Sequence, residues 1–142
     1  MPDERAPVFL DTACVYASLN SRDEWHDRAQ LWETRLALER RQLITTQLIL
    51  VEIADGLASM RFRAKAVEVL TALQSNSFIE VVAMTTEILD DAFDLYSRRS
   101  DKEWGMTDCV SFVVMRERGL LEALTMDQHF QQAGFRALLR EP

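Results

Sequence analysis

Short apolar runs alternate along this chain with longer stretches of helical period. Val8-Phe9-Leu10 is a contiguous apolar run closed by Asp11. Apolarity on both faces fits a strand in the middle of a sheet. Thr12 to Leu19 then reads as a short helix, with Asp11 placed to cap it. From Asp23 to about Arg41, Trp25, Ala29, Trp32 and Leu36 recur at helical spacing. That stripe predicts a core-facing helix, or an oligomer interface should either tryptophan be exposed. Leu43 to Thr45 reads as the second strand and Gln47 to about Met60 as the next helix, with Leu48, Val51 and Leu57 able to face the core. A helix from Ala64 to Gln74 stops at Ser75-Asn76-Ser77, and Phe78 to Ala83 alternates as a strand. Thr85 or Thr86 caps a helix running to about Arg99.

The densest signal lies in Trp104 to Leu139, WGMTDCVSFVVMRERGLLEALTMDQHFQQAGFRALL. Thr107 can cap a helix that starts with Asp108, passes through Val110, Phe112, Val113, Val114 and Met115, and stops at Arg118-Gly119. So apolar a helix is buried on most sides. Leu121 to Thr125 reads as a strand that delivers Asp127 just past its carboxyl end, followed by a helical turn and a last strand, Phe135 to Leu139. Strands alternating with helices predict an α/β fold, with a mostly parallel sheet between helical layers. No repeat, linker or low-complexity segment divides the chain, so residues 1–142 form a single domain.

This reading gathers four carboxylates at one end of the sheet. Asp11, Glu52, Asp108 and Asp127 all fall at or near the carboxyl ends of strands or the starts of helices, where ligands bind in open α/β sheets. Two carboxylates about 4 Å apart repel by roughly 4 kcal/mol at an effective dielectric near 20. Four together call for a divalent cation or for proton uptake. Each also has a plainer explanation. Asp11 can be a helix cap, and Glu52 a solvated helix residue, although its neighbours Leu50-Val51 and Ile53-Ala54 are apolar. Asp55, three residues on from Glu52, is close enough to assist it. Thr12 either serves as a cap or lends its hydroxyl to the cluster, and Asp101 is either a structural loop carboxylate or an outer contact. His129 follows Asp127 closely enough to lie near the site, but its position reads first as a solvent-facing helix residue.

The segments VFLDTACVYASL, ITTQLILVEIADGL, WGMTDCVSFVVMRERG and LEALTMDQHFQQAGF, in this order, resemble the PIN domain family of metal-dependent nucleases. Within that family they are similar to the toxin components of bacterial virulence-associated toxin-antitoxin pairs. The resemblance implies a five-stranded, three-layer α/β/α sandwich. It also implies that Asp11, Glu52, Asp108 and Asp127 are the catalytic and metal-binding residues, holding one or two Mg²⁺ or Mn²⁺ ions. The implied reaction is hydrolysis of an RNA phosphodiester, leaving a 5′-phosphate and a 3′-hydroxyl. A small antitoxin encoded alongside would block the cleft with a basic side chain, and a homodimer is the expected assembly. The competing reading is a PIN scaffold that binds RNA or a protein partner without cleaving.

Composition narrows the field further. A net charge of −7 excludes a general nucleic-acid-binding module with a broad basic footprint, but not a nuclease whose acids are neutralised by metal. Arg61, Arg63 and Lys65 form one local basic group, and Arg98, Arg99 and Lys102 another. Both read first as solvated faces and second as phosphate contacts. Cys14 and Cys109 read as buried thiols rather than a disulfide or zinc site. The glycines, Gly56, Gly105, Gly119 and Gly134, build no phosphate loop. An aspartate-nucleophile phosphatase needs a second Asp where this chain has Ala13. No apolar run is long enough to span a membrane, and the polar opening MPDERAP lacks a signal-peptide core. The expected location is the cytoplasm.

Overall fold

The computed structural model describes residues 5–142; residues 1–4, the start of the opening MPDERAP, lie outside the described residues. The element order is β1 (Val8–Leu10), α1 (Thr12–Leu19), α2 (His26–Leu38), β2 (Leu43–Thr46), α3 (Gln47–Gly56), α4 (Arg63–Ser75), β3 (Ile79–Val82), α5 (Thr86–Arg98), α6 (Met106–Glu117), β4 (Glu122–Leu124), α7 (Gln128–Gln132) and β5 (Arg136–Ala137). The strands form one sheet in the order β3-β2-β1-β4-β5, and every pair is parallel. Right-handed crossovers, the rule for parallel connections, put α1 to α4 on one face and α5 to α7 on the other. The helices pack accordingly, α1 on α2 and α3, α3 on α4, α5 on α6 and α6 on α7. The result is a three-layer sandwich.

The central strand is the one the unbroken apolar run predicts. Val8 and Phe9 are wholly buried and Leu10 nearly so, because β1 is covered by helices on both faces and paired on both edges. Its neighbour β2 ends in two threonines that work differently. Thr45 Oγ1 donates to the Leu10 carbonyl at 2.9 Å, tying the ends of β1 and β2 together. Thr46 Oγ1 accepts from the Ile49 N–H at 3.1 Å and so caps α3.

The buried helix α6 supplies the hub of the core. Phe112 sits edge-on to Trp104 and to Phe130, with ring centroids 5.0 Å away in each case, and is tilted against Phe135 at 5.7 Å. Phe130 in turn meets Phe9 of β1. Through these rings the loop before α6, helix α7 and the start of β5 are all registered on the central strand. Trp25 and Trp32 of the α2 stripe are half-buried against the core, so core packing is their role. Cys14 and Cys109 are buried free thiols.

Several ends differ from the sequence reading, each for a local reason. Helix α6 starts at Met106 with Gly105 as its cap, two residues before the expected Thr107 cap, because the Asp108 carboxylate takes the Gly105 N–H. Helix α2 begins at His26 because the Asp23 carboxylate bonds the Trp25 N–H and holds a turn there. It ends before Arg41 because Arg40 adopts φ 54°, a left-handed residue that stops a helix. Helix α3 ends at Gly56, short of Met60, and β5 is two residues that pass into a 3₁₀ turn at Leu138–Arg140. Among the described residues no helix is long and apolar enough to cross a membrane.

Candidate metal centre

The order β3-β2-β1-β4-β5 makes the chain leave β1 toward one edge and return through β4 on the other side. Between the carboxyl ends of β1 and β4 the sheet therefore has its switch point, the crevice where α/β proteins collect ligands. Asp11 follows β1 and Asp127 follows β4.

Asp11 is the deepest of the acids, buried to 6% exposure. It occupies the N-cap position of α1, but its side chain caps nothing there. Instead its Oδ2 accepts from Thr125 Oγ1 at 2.8 Å. The plain helix-cap account of Asp11 is therefore set aside. Burial pushes its carboxyl up from 3.8 to about 7; the Thr125 hydroxyl opposes the rise, and the charges of Asp108, Asp127 and Glu52 add to it. Asp11 thus feels all three other acids. A carboxylate so placed gains a great deal from a cation.

Asp108 lies in the first turn of α6, where the helix N-terminus favours negative charge. Its Oδ2 accepts the Gly105 N–H at 3.1 Å and lies 3.1 Å from His129 Nδ1. Its carboxyl is raised by burial first; the Gly105 bond pulls it down, Asp127 pushes it up and His129 pulls it down. Asp127 Oδ1 accepts the His129 N–H at 2.8 Å, which caps the short α7, and lies 3.5 Å from His129 Nδ1. Carboxylate and ring atoms of Asp108, Asp127 and His129 come within 4.8 Å of one another. Among the described residues, Asp11 and Glu52 stand outside this tight group, linked to it by charge. Glu52 is half-buried on α3, a helix held to α1 by a 2.8 Å bond from the Tyr16 hydroxyl to the Glu52 carbonyl.

Two residues of the centre escape sequence reasoning. His129, expected to face solvent, is instead half-buried against both carboxylates. Thr125, fully buried, both donates to Asp11 and accepts the Asp127 N–H at 3.0 Å, so one hydroxyl sets the positions of two acids. The signal for Thr125 is a hydroxyl directly after the apolar pair Ala123-Leu124, two residues before Asp127. Thr12, buried beside Asp11, has a hydroxyl with no hydrogen-bond partner among the described residues.

Other acids and bases go elsewhere. Asp101 is exposed and paired with Arg99, whose guanidinium bonds hold its carboxyl below the usual range. Arg98 is paired with Asp94, Lys65 with Glu68, and Arg63 closes the α3–α4 turn on the Ala58 carbonyl. A separate cavity of about 460 Å³ opens between α2, α4 and the sheet, with Leu36, Val69 and Leu73 among its walls, and none of the four acids lines it.

The PIN domain family model matches residues 8–136. The chain belongs to the PIN domain family. Among curated proteins it is similar to the 23S rRNA-specific endonuclease VapC20 of Mycobacterium tuberculosis, 27% identical over 129 residues, 90% of this chain and 95% of that protein. The crystal structure of VapC20, described as a sarcin–ricin loop cleaving toxin, superposes with a TM-score of 0.78 at 27% identity over the same shares of the two chains. FitAcB from Neisseria gonorrhoeae matches with a TM-score of 0.66 at 18% identity, covering 92% of this chain and 94% of that one, and shares the fold.

In this PIN domain the donor set suits a hard divalent cation. Carboxylate oxygens predominate, no thiolate is near enough to contribute, and a buried acid carries a charge that only a proton or a cation can offset. The orphaned Thr12 hydroxyl adds a polar atom beside Asp11. The residues present therefore fit the group.

Proposed function

We propose that this PIN domain is a metal-dependent endoribonuclease, acting as the toxin of a toxin-antitoxin pair. The observation that carries the reading is the buried Asp11 at the switch point, charge-coupled to Asp108, Asp127 and Glu52. The similarity to VapC20 over nearly the whole chain gives that centre its reaction class.

Asp11, Asp108 and Asp127 would hold Mg²⁺ or Mn²⁺, with Glu52 assisting from α3. A cation held there would supply Lewis-acid chemistry, activating water and offsetting phosphoryl charge. The chain's own groups do the rest. Thr125 fixes Asp11 and Asp127 in register, so the carboxylates need not reorganise when the phosphate arrives. The Gly105 N–H holds Asp108 in the first turn of α6. Hydrolysis by water at phosphorus breaks the bond to the 3′-oxygen, leaving a 5′-phosphate and a 3′-hydroxyl.

The substrate class is structured RNA, with a ribosomal stem-loop the first to try. The protein works in the cytoplasm, as a homodimer. A small antitoxin silences it by placing a basic side chain among the carboxylates, where opposite charge in a partly buried site is worth most.

The test is cleavage of a sarcin–ricin loop hairpin and of an unrelated hairpin by purified protein free of any antitoxin. Activity is expected with Mg²⁺ or Mn²⁺ and not with EDTA. Asp11→Asn and Asp108→Asn should each lower the rate by at least about a thousandfold while circular dichroism stays unchanged. Equal cutting by parent and variants would remove the site assignment.

A further inference from the structure

We propose that His129 supplies a nitrogen donor to the divalent cation through Nδ1, making the centre a mixed oxygen–nitrogen site with Asp108 and Asp127. The proposal rests on the metal-dependent reading above and adds to its acidic ligands a residue that the four carboxylates do not require.

The argument is geometric. His129 Nδ1 lies 3.1 Å from Asp108 Oδ2 and 3.5 Å from Asp127 Oδ1, and the donor atoms of the three residues fall within 4.8 Å of one another. In an octahedral shell with bonds of about 2.1 Å, neighbouring donors lie about 3 Å apart and opposite donors about 4.2 Å apart. The separations match neighbouring corners of one shell. A hydrogen bond from Nδ1 to Asp108 would explain the shorter distance by itself. The cap bond from the His129 N–H to Asp127 Oδ1 at 2.8 Å brings the second carboxylate to the same side of the ring, so both acids converge on Nδ1.

The ring is also held in place. Asp127 caps its backbone, and the next residue, Phe130, is wholly buried between Phe112 and Phe9. The imidazole therefore projects from a fixed point beside the two acids. With Nδ1 on the ion, the proton resides on Nε2. A nitrogen donor moves preference along the divalent series from Mg²⁺ toward Mn²⁺ and Co²⁺. The centre should accordingly favour Mn²⁺ over Mg²⁺ more strongly than four carboxylates alone would.

Electron spin-echo envelope modulation of the full-length protein loaded with Mn²⁺ decides the matter. The expected spectrum shows ¹⁴N coupling from a directly bound imidazole. Growth on ¹⁵N-imidazole histidine should replace it with the ¹⁵N pattern, with no substitution that could disturb folding. The chain has two histidines, and His26 is engaged away from the centre, with Nδ1 2.9 Å from the Ala17 carbonyl. His129→Gln should abolish the coupling and weaken Mn²⁺ binding at least about tenfold, with a smaller loss for Mg²⁺. Mn²⁺ bound without nitrogen coupling would overturn the proposal and leave the metal-dependent nuclease reading standing. Failure to bind either ion would overturn both.

Discussion

A single hydroxyl, that of Thr125, carries more of this site than its chemistry suggests. It donates to Asp11 and accepts from the Asp127 backbone within a fully buried strand end. Thr125→Val keeps the shape and removes both bonds, leaving a buried N–H and a buried carboxylate without that partner. Loss of about 1–3 kcal/mol in urea denaturation should accompany a rate loss of about tenfold to a hundredfold; a fully active variant would show that the acids are positioned by something else. Asp11 itself makes a prediction of opposite sign. Its carboxyl stands at about 7 when folded, against 3.8 as the reference. Between those values the folded metal-free protein holds a proton the unfolded chain has released. Stability from this group is therefore full below about pH 4 and is lost as pH rises through about 7. Asp11→Asn should flatten that slope and make the metal-free protein more stable than the parent at pH 8, by on the order of 4 kcal/mol, while abolishing the proposed activity. A variant less stable than the parent at pH 8 would refute the charge argument. At this scale the acids stood out against apolar surroundings: Asp11 and Asp127 follow apolar strand runs, Glu52 interrupts one, and Asp108 opens one. His129 and Thr125 did not, because a helix of only five residues has too little periodicity to say which way His129 faces, and a threonine closing a strand looks like any other strand end.

Elements place these residues, and their interiors were easier to read than their ends. Apolar runs and helical stripes depend on burial averaged over many positions. Ends depend on single contacts, such as the Asp23 carboxylate on the Trp25 N–H or the φ of 54° at Arg40. One such contact positions the helix that carries Glu52. Gly56 ends α3 directly against Tyr16, whose hydroxyl bonds the Glu52 carbonyl, and a Cβ built at Gly56 would lie 1.8 Å from that hydroxyl. Gly56→Ala must therefore push Tyr16 off the Glu52 carbonyl, costing about 1–3 kcal/mol by overpacking and lost bonding. In a Tyr16→Ala background the same substitution should cost nothing, or stabilise by up to about 1 kcal/mol, since alanine is the better helix former. Chemical denaturation of the four proteins of this cycle measures the coupling. Additive effects would show that the glycine answers to the helix end and not to Tyr16.

At the scale of the whole molecule the question is how a protein of net charge −7 meets a polyanion. Several of its cations are paired with its own acids: Lys65 with Glu68, Arg98 with Asp94, Arg99 with Asp101, Arg118 with Glu80, and Arg136 with Glu122 and Glu141. Exposed pairs of this kind contribute little to stability, but they lower the positive potential that RNA would meet. Cations held in such pairs are less able to displace the counterions around phosphates. Together with the net negative charge, this favours recognition through the shape of the RNA and the proposed cation in the cleft, with Arg61 beside the α3–α4 turn as an auxiliary contact. That division predicts a shallow salt dependence. Fluorescence anisotropy of a labelled hairpin in EDTA, where nothing is cut, should give log affinity falling against log salt with a slope no steeper than about −2, equivalent to about two phosphate contacts. A slope of about −5 or steeper would mean that a basic surface drives binding and that the local ion pairs open to make it.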